Sequence, residues 1–255
     1  MKIHLFLALL SLSLTPPQKD SVIGIDHIPV VVNNLDSAAN FYKKIGFIIK
    51  PGRFHQNGIR NQHIKFPNGT EIELITASQP VDPLTTEYCN SLKQGEGPVY
   101  FGLFATNPTV LTQQIDTNNL HPLFFGSRNH SPTDKPEHFA HTNTAYSLTS
   151  VWLATDHIPT YVQLFKKLGI QVKQKKMFSG ITAQIAKLKE GEVILLPASL
   201  QVIPNHQVIG ATVQVTDLKK LKTILQQSGI KGSESTNSIL LSPALTHGIY
   251  LEFRQ

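Results

Sequence analysis

The chain has 255 residues, of which 40% are apolar and 16% charged, enough length and hydrophobicity for a sizeable core and a balance that excludes a disordered or fibrous class. Its formal charge is +6, but the lysine pairs at 43–44, 166–167 and 219–220 fall on helix faces with no interleaved aromatics, which points to solvated surface and away from nucleic acid. With Cys89 as the single cysteine, an intramolecular disulfide and a thiolate metal cluster are both excluded.

In chain order, residues 1–20 stand apart. "MKIHLFLALLSLSLTPPQ" has a short basic start, an apolar run from Leu5 to Leu14 and a Pro-Pro break. The run is too short to span a bilayer and fits a secretory h-region, so no stable membrane span is expected. The expectation is export to a periplasm or medium if the segment is cleaved, and a cytoplasmic protein otherwise.

From there the chain repeats itself. "IGIDHIPVVVNNLDSAANFYKKIGF" (23–47) reads as strand, polar turn, amphipathic helix and glycine stop. "SLTSVWLATDHIPTYVQLFKKLGI" (147–170) and "VIGATVQVTDLKKLKTILQQSGI" (208–230) read the same way, each with a polar N-cap and with Gly169 or Gly229 where the first copy has Gly46. A weaker copy, "VYFGLFATNPTVLTQQIDTNNL" (99–120), starts its helix at Pro108 and leaves through asparagines. Short strand-like pieces follow the helices and end in "GTEIELI" (69–75), "GEVILLP" (191–197) and "GIYLEFR" (248–254). The unit is βαβββ, and one unit alone has too little core and an open sheet edge. An α+β chain of four units in two paired modules is therefore expected, 21–140 and 141–255, with the boundary at the polar "HTNTAYS" (141–147) after an irregular loop at 129–139.

These residues resemble the vicinal oxygen chelate superfamily, which includes glyoxalase I, extradiol dioxygenases and bleomycin-resistance proteins. The resemblance rests on "DHIPVVVNNLDSAANFYKKIGF", "GRFHQNGIRNQHIKF" (52–66) and "GTEIELI", and is to the glyoxalase-like branch; "HSPTDKPEHFAHTNTAYSLTSVWLAT" (130–155) resembles a mid-chain segment of double-barrel members more loosely. It implies paired βαβββ units whose sheets curl into cups. In metal-binding members the first and the last strand of each unit supply ligands. A divalent ion (iron, zinc, nickel or manganese) then holds neighbouring oxygens of a small substrate.

Carried over, His27 takes the first-strand position and Glu73 the last-strand position. Opposite them stand Ser150 and Leu195 in the third unit, Gly210 and Glu252 in the fourth, and Tyr100 in the weak second unit, with His121 and His130 nearby. Matched positions do not make a four-ligand set. A reduced metal site of His27, Glu73 and His130 is one expectation, with Glu73 or Glu252 alternatively acting as a base. Arg53, His55, Arg60 and Asn61 are the expected substrate contacts, the arginines suiting an anionic group. Trp152 and Tyr146 read as packing at the module junction. The functional expectation is a metal-dependent isomerase or lyase, or a ring-cleaving dioxygenase, acting on a small oxygen-bearing molecule. Alternatives are a metal-free protein that sequesters a small ligand, and a structural double module with filled pockets.

Overall fold

The computed structural model describes residues 21–115, 120–128, 130–176 and 180–255; the signal-like segment and the asparagine-rich exit at 116–119 lie outside them. The chain opens with two short strands, β1 (Val22–Ile25) and β2 (His27–Val31), which part at Asp26 to join different sheets. Helix α1 (Leu35–Lys44) is capped by Asn34, whose side chain accepts the Ser37 N–H at 2.9 Å. Leu35, Ala38, Ala39 and Tyr42 form its buried stripe. Gly46, at φ +90°, turns the chain out of the helix. Strands β3 (Lys50–Phe54), β4 (Ile59–Lys65) and β5 (Glu71–Ala77) complete a βαβββ unit in which β5 returns parallel to β2.

Between the first and second units runs a helix that periodicity did not reveal, α2 (Pro83–Gln94), closed at its start by an Asp82–Thr85 capping box. Its apolar residues are few, and Tyr88, Cys89 and Leu92 pack onto the first sheet beside Val31, Ile59, Ile75 and Ala77. After β6 (Gly97–Pro98), the second unit holds β7 (Phe101–Ala105), α3 (Pro108–Gln114) and β8 (Leu123–Gly126), with β8 parallel to β7. Among the described residues this unit has one strand after its helix where the others have three.

The third unit is β9 (Ala145–Thr155), α4 (Ile158–Lys167), β10 (Gln171–Lys176), β11 (Thr182–Lys187) and β12 (Glu192–Pro197). The fourth is β13 (Val208–Val215), α5 (Leu218–Gln227), β14 (Ser233–Glu234), β15 (Ser238–Leu241) and β16 (Tyr250–Arg254). Their first strands pair antiparallel, β9 with β13, and fuse the two into an eight-stranded sheet ordered β10-β11-β12-β9-β13-β16-β15-β14. In the first half β1 pairs β7 in the same sense, but the strands divide into a five-stranded sheet, β3-β4-β5-β2-β6, and a three-stranded one, β1-β7-β8. Among the described residues no helix is long and apolar enough to cross a membrane.

One hydrophobic cluster runs through both halves. Phe47, which follows α1, stacks on Phe253 of β16 at 5.8 Å, and the Tyr42 hydroxyl donates to the Thr246 carbonyl at 3.1 Å. In return the Tyr161 hydroxyl of α4 donates to the Leu120 carbonyl at 3.0 Å. The polar "HTN" stretch is a clasp. Asn143 Nδ2 donates to the Ile45 carbonyl, His141 Nδ1 accepts the Ile48 N–H at 2.9 Å, and His141 Nε2 meets the Lys65 carbonyl at 2.9 Å.

That histidine makes a pH prediction. Burial among Phe47 and Phe66 lowers the His141 pKa from 6.5 to about 4, against the Lys65 carbonyl bond, which favours the charged ring. The unfolded chain therefore binds this proton first. Its contribution is fully present above pH 6.5 and is lost as pH falls toward 4, by about 3 kcal/mol. Urea midpoints at neutral pH and near pH 4 should differ accordingly, and His141→Gln should remove most of that difference. An unchanged pH dependence in the variant rejects this role.

Candidate active site

Alternation along the strands of the first sheet separates two faces. Ile28, Val30, Ile64, Ile72 and Leu74 face the common core. His27, Asn61, His63, Glu71 and Glu73 therefore project from the opposite face, beside the patch covered by α2. The ladder places His27 across from Glu71, and His63 across from Glu73. The polar strip was legible as "DH" on one strand and as the alternating acids of "EIE" on another.

His27 is held from behind. Its Nδ1 hydrogen-bonds the buried Asp26 carboxylate, and its ring packs edge-on to Phe124 at 5.0 Å. Its Nε2 stands 3.7 Å from Glu73 Oε2. The other carboxylate oxygen, Oε1, accepts from Asn61 Nδ2 at 2.6 Å. The His27 side chain is 24% exposed and that of Glu73 14%, so a small ligand can reach both. Burial by itself would depress the His27 pKa, but the bond to Asp26 and the charges of Asp26, Glu73 and Glu71 outweigh it and raise the pKa above 6.5.

Asp26 has its own support. The Arg128 backbone N–H reaches its Oδ2 at 2.5 Å, from a residue at φ +57°. Burial would push the Asp26 carboxyl up, but the His27 bond and the Arg128 N–H hold it below its usual value. Further along the strip His63 Nδ1 bonds Glu71. Next to them Asp134, from the loop before residue 140, accepts from Lys50 Nζ at 2.6 Å and Lys65 Nζ at 2.5 Å, and its pKa falls to about 2. Burial opposes that shift, while the lysine bonds and the Ser131 N–H drive it.

Of the four expected substrate contacts, Asn61 meets Glu73 and also accepts the Arg53 N–H through Oδ1. The Arg53 and Arg60 side chains are exposed, and Arg60 sits on β4 one residue from Asn61, so it leaves toward the other face. His55 ends the same hairpin, with a buried Nε2 that has no hydrogen-bond partner among the described residues. His130 lies against Gly69, in the turn between β4 and β5. His121 is drawn to Glu87 of α2, which also receives the Tyr100 hydroxyl.

The second half reads differently. Ser150 is across from Glu192 and Trp152 from Ile194, so the β12 position equivalent to Glu73 is Ile194 and not the expected Leu195, which points into the core. Leu195 was one residue out of register, and a one-residue shift exchanges faces. On β16 Glu252 does stand at the equivalent position, across from Thr212. It accepts from Thr212 Oγ1 at 2.8 Å and from Arg254 Nη2 at 2.8 and 2.9 Å. Since Phe253 faces Phe47 and the first half, Glu252 faces away, and the fold does not bring it to His27. Where the fourth unit has Gly210, the Trp152 indole lies on the strand, so close that a Cβ there would be 2.5 Å from Cε3. Trp152 Nε1 donates to Thr212 Oγ1 at 3.1 Å, which makes it packing within the sheet.

A divalent ion finds the right kinds of donor in His27 Nε2 and Glu73 Oε2, and a carboxylate behind the imidazole is the usual way to orient such a ligand. The number falls short: among the described residues no group of three His, Cys, Asp or Glu side chains is placed to hold a metal. As built, the strip is a row of proton-carrying groups.

The whole architecture recurs in solved structures. A hypothetical protein from Staphylococcus aureus superposes with TM-score 0.58 at 11% identity, over 91% of this chain and 99% of that one. An extradiol ring-cleaving dioxygenase from B. fuscum gives 0.61 at 10% identity, over 92% and 72%. A 4-hydroxymandelate synthase mutant from Streptomyces coelicolor gives 0.60 at 9%, over 92% and 93%. Likeness at such identities establishes the fold alone. No curated protein matches the sequence. A family profile described as Glyoxalase-like domain does match, over residues 25–177, more than half of the chain. With its βαβββ units and vicinal oxygen chelate fold, the chain belongs to the glyoxalase-like domain family.

Proposed function

We propose that the first half binds a small oxygen-bearing molecule on its polar strip and moves a proton on it, with His27 and Glu73 as the working pair. The observation that carries this reading is the 3.7 Å separation of His27 Nε2 and Glu73 Oε2, each fixed from behind and each open to a ligand. A carboxylate and an imidazole facing one point suit proton transfer beside a carbonyl. The Glu73 carboxylate takes the proton from the carbon next to the carbonyl, and the His27 Nε2 proton passes to the carbonyl oxygen. Glu73 then delivers its proton to the former carbonyl carbon while the original α-hydroxyl gives its proton back to His27 Nε2, which isomerises an α-hydroxycarbonyl compound with no net gain or loss of atoms and leaves both residues as they began. Asn61 holds the base in place.

The test is deuterium uptake. Incubated in heavy water with a panel of small hydroxyketones and hydroxyaldehydes, the protein should incorporate deuterium at the α-carbon of at least one, and Glu73→Gln should not. Binding without exchange would favour the sequestering alternative.

A second reading keeps a metal, as the fold likeness to ring-cleaving dioxygenases and the Asp26-backed imidazole favour it. A metal-dependent isomerase, lyase or dioxygenase needs a further donor from substrate, water or residues outside the described set. Elemental analysis of untagged protein beside His27→Ala, after refilling with iron, nickel, zinc and manganese in turn, decides it. About one ion per chain, lost in the variant, supports the metal; none in either rejects it.

A further inference from the structure

The short second unit sets the Phe124 ring against His27 and also converges on Asp26 from three directions. The Asp26 N–H donates to the Gly102 carbonyl of β7 at 2.8 Å. Gly126, at the end of β8, lies so close that a Cβ there would fall 2.5 Å from Asp26 Oδ2 and 2.9 Å from Oδ1. Gly102 leaves a similar gap, 3.0 Å from the Asp26 Cβ. Two residues past Gly126, Arg128 adopts a left-handed backbone that aims its N–H at Oδ2. Its side chain is anchored to do so. Nε donates to the Ile25 carbonyl at 3.1 Å, Nη1 donates to the Asn68 carbonyl at 3.0 Å and pairs with Glu190 at 2.6 Å, and the guanidinium lies 4.5 Å over Phe104. Strained non-glycine backbone persists where the surroundings over-determine it, as they do here.

We propose that Asp26 is a positioning residue: cradled by β7, β8 and the Arg128 N–H, it keeps a proton on His27 Nδ1 and leaves Nε2 as the exchanging face toward Glu73 and the ligand. One carboxylate oxygen is taken by Arg128 N–H, and the other accepts from the imidazole. Only a doubly accepting group satisfies both donors. The inference concerns the use of His27 and so rests on the proton-transfer reading for its function, but its structural content is independent of any substrate.

The experiment reads the tautomer directly, on the whole chain with ¹⁵N-labelled histidine and no ligand present. Two-bond ¹H–¹⁵N correlation at alkaline pH should show His27, assigned by its loss in His27→Gln, protonated at Nδ1. Asp26→Asn offers Arg128 the amide oxygen and turns its NH2 toward the ring, so His27 should invert to the Nε2-protonated form. Gly126→Ala leaves every charge in place and pushes on Oδ2, so it should give a mixture of tautomers. It also serves if Asp26→Asn fails to fold. A wild-type His27 protonated at Nε2, or a folded Asp26→Asn or Gly126→Ala protein with the wild-type tautomer, overturns the proposal. Failure of the proton-transfer reading would show instead as absent deuterium uptake with the tautomer as stated.

Discussion

His27→Ala should lower the rate of α-deuteration by about 10²–10⁴-fold, the range in which a positioned general acid contributes to catalysis. The loss should lie in kcat, because the imidazole proton is needed as charge grows on the carbonyl oxygen and less so when the ligand first binds. Stability needs a control, since the variant strips the buried Asp26 of a charged partner. His27→Gln supplies it: an amide N–H still donates to Asp26, but the side chain does not carry an exchangeable acid, so stability should recover while the rate stays low. The wild-type rate should persist above pH 6.5, since the acid form of His27 is held by Asp26 and Glu73, and fall only as the raised pKa is passed. Exchange rates of wild type and both variants over a pH series test all of this. A His27→Ala protein that keeps more than a tenth of the rate removes His27 from the mechanism.

Phe47→Ala should cost about 3–5 kcal/mol, the usual price of deleting a fully buried aromatic ring. Phe47 is 2% exposed and lies where the two halves meet, stacked on Phe253, edge-on to Phe66 and His141, and tilted against Tyr42. Its removal opens a cavity that the flanking sheets are too rigid to fill. Because one cluster spans both halves, the loss should appear as a lower midpoint of a single cooperative transition followed by tryptophan fluorescence and circular dichroism. Trp152 reports from the second half, so a fluorescence transition that stays at the wild-type midpoint while the circular dichroism midpoint falls would show that the halves fold apart. A cost under about 1 kcal/mol would show that the contact is dispensable.

Much of the fold was readable in the chain because helix signals are local. Asn34 and Asp217 cap α1 and α5 as their polar turns suggested, and Gly46, Gly169 and Gly229 follow the helices at positive φ. The first β12 assignment failed by one residue because "EVILLP" is apolar on both faces, so no alternation fixes its register. Helix α2 escaped because its sequence, PLTTEYCNSLKQ, presents a narrow apolar stripe to a small patch. The site was half readable. His27 and Glu73 stand out in the chain, but nothing local gives the neighbouring Asp26 a role, and His63, Asp134 and Arg128 gain theirs only through partners up to 102 residues away.

What the linear chain decided, then, is the unit: caps, glycine stops and alternating strands act over a few residues, and they dictate βαβββ wherever they recur. Which groups meet is a matter of long-range geometry. Strand pairing sets the first sheet's polar strip against α2, and it turns Glu252 away from His27 because Phe253 must enter the core. The left-handed turn at Arg128, by which a truncated unit grips Asp26, is imposed by anchors in three separate segments, and no local preference of that residue would have announced it.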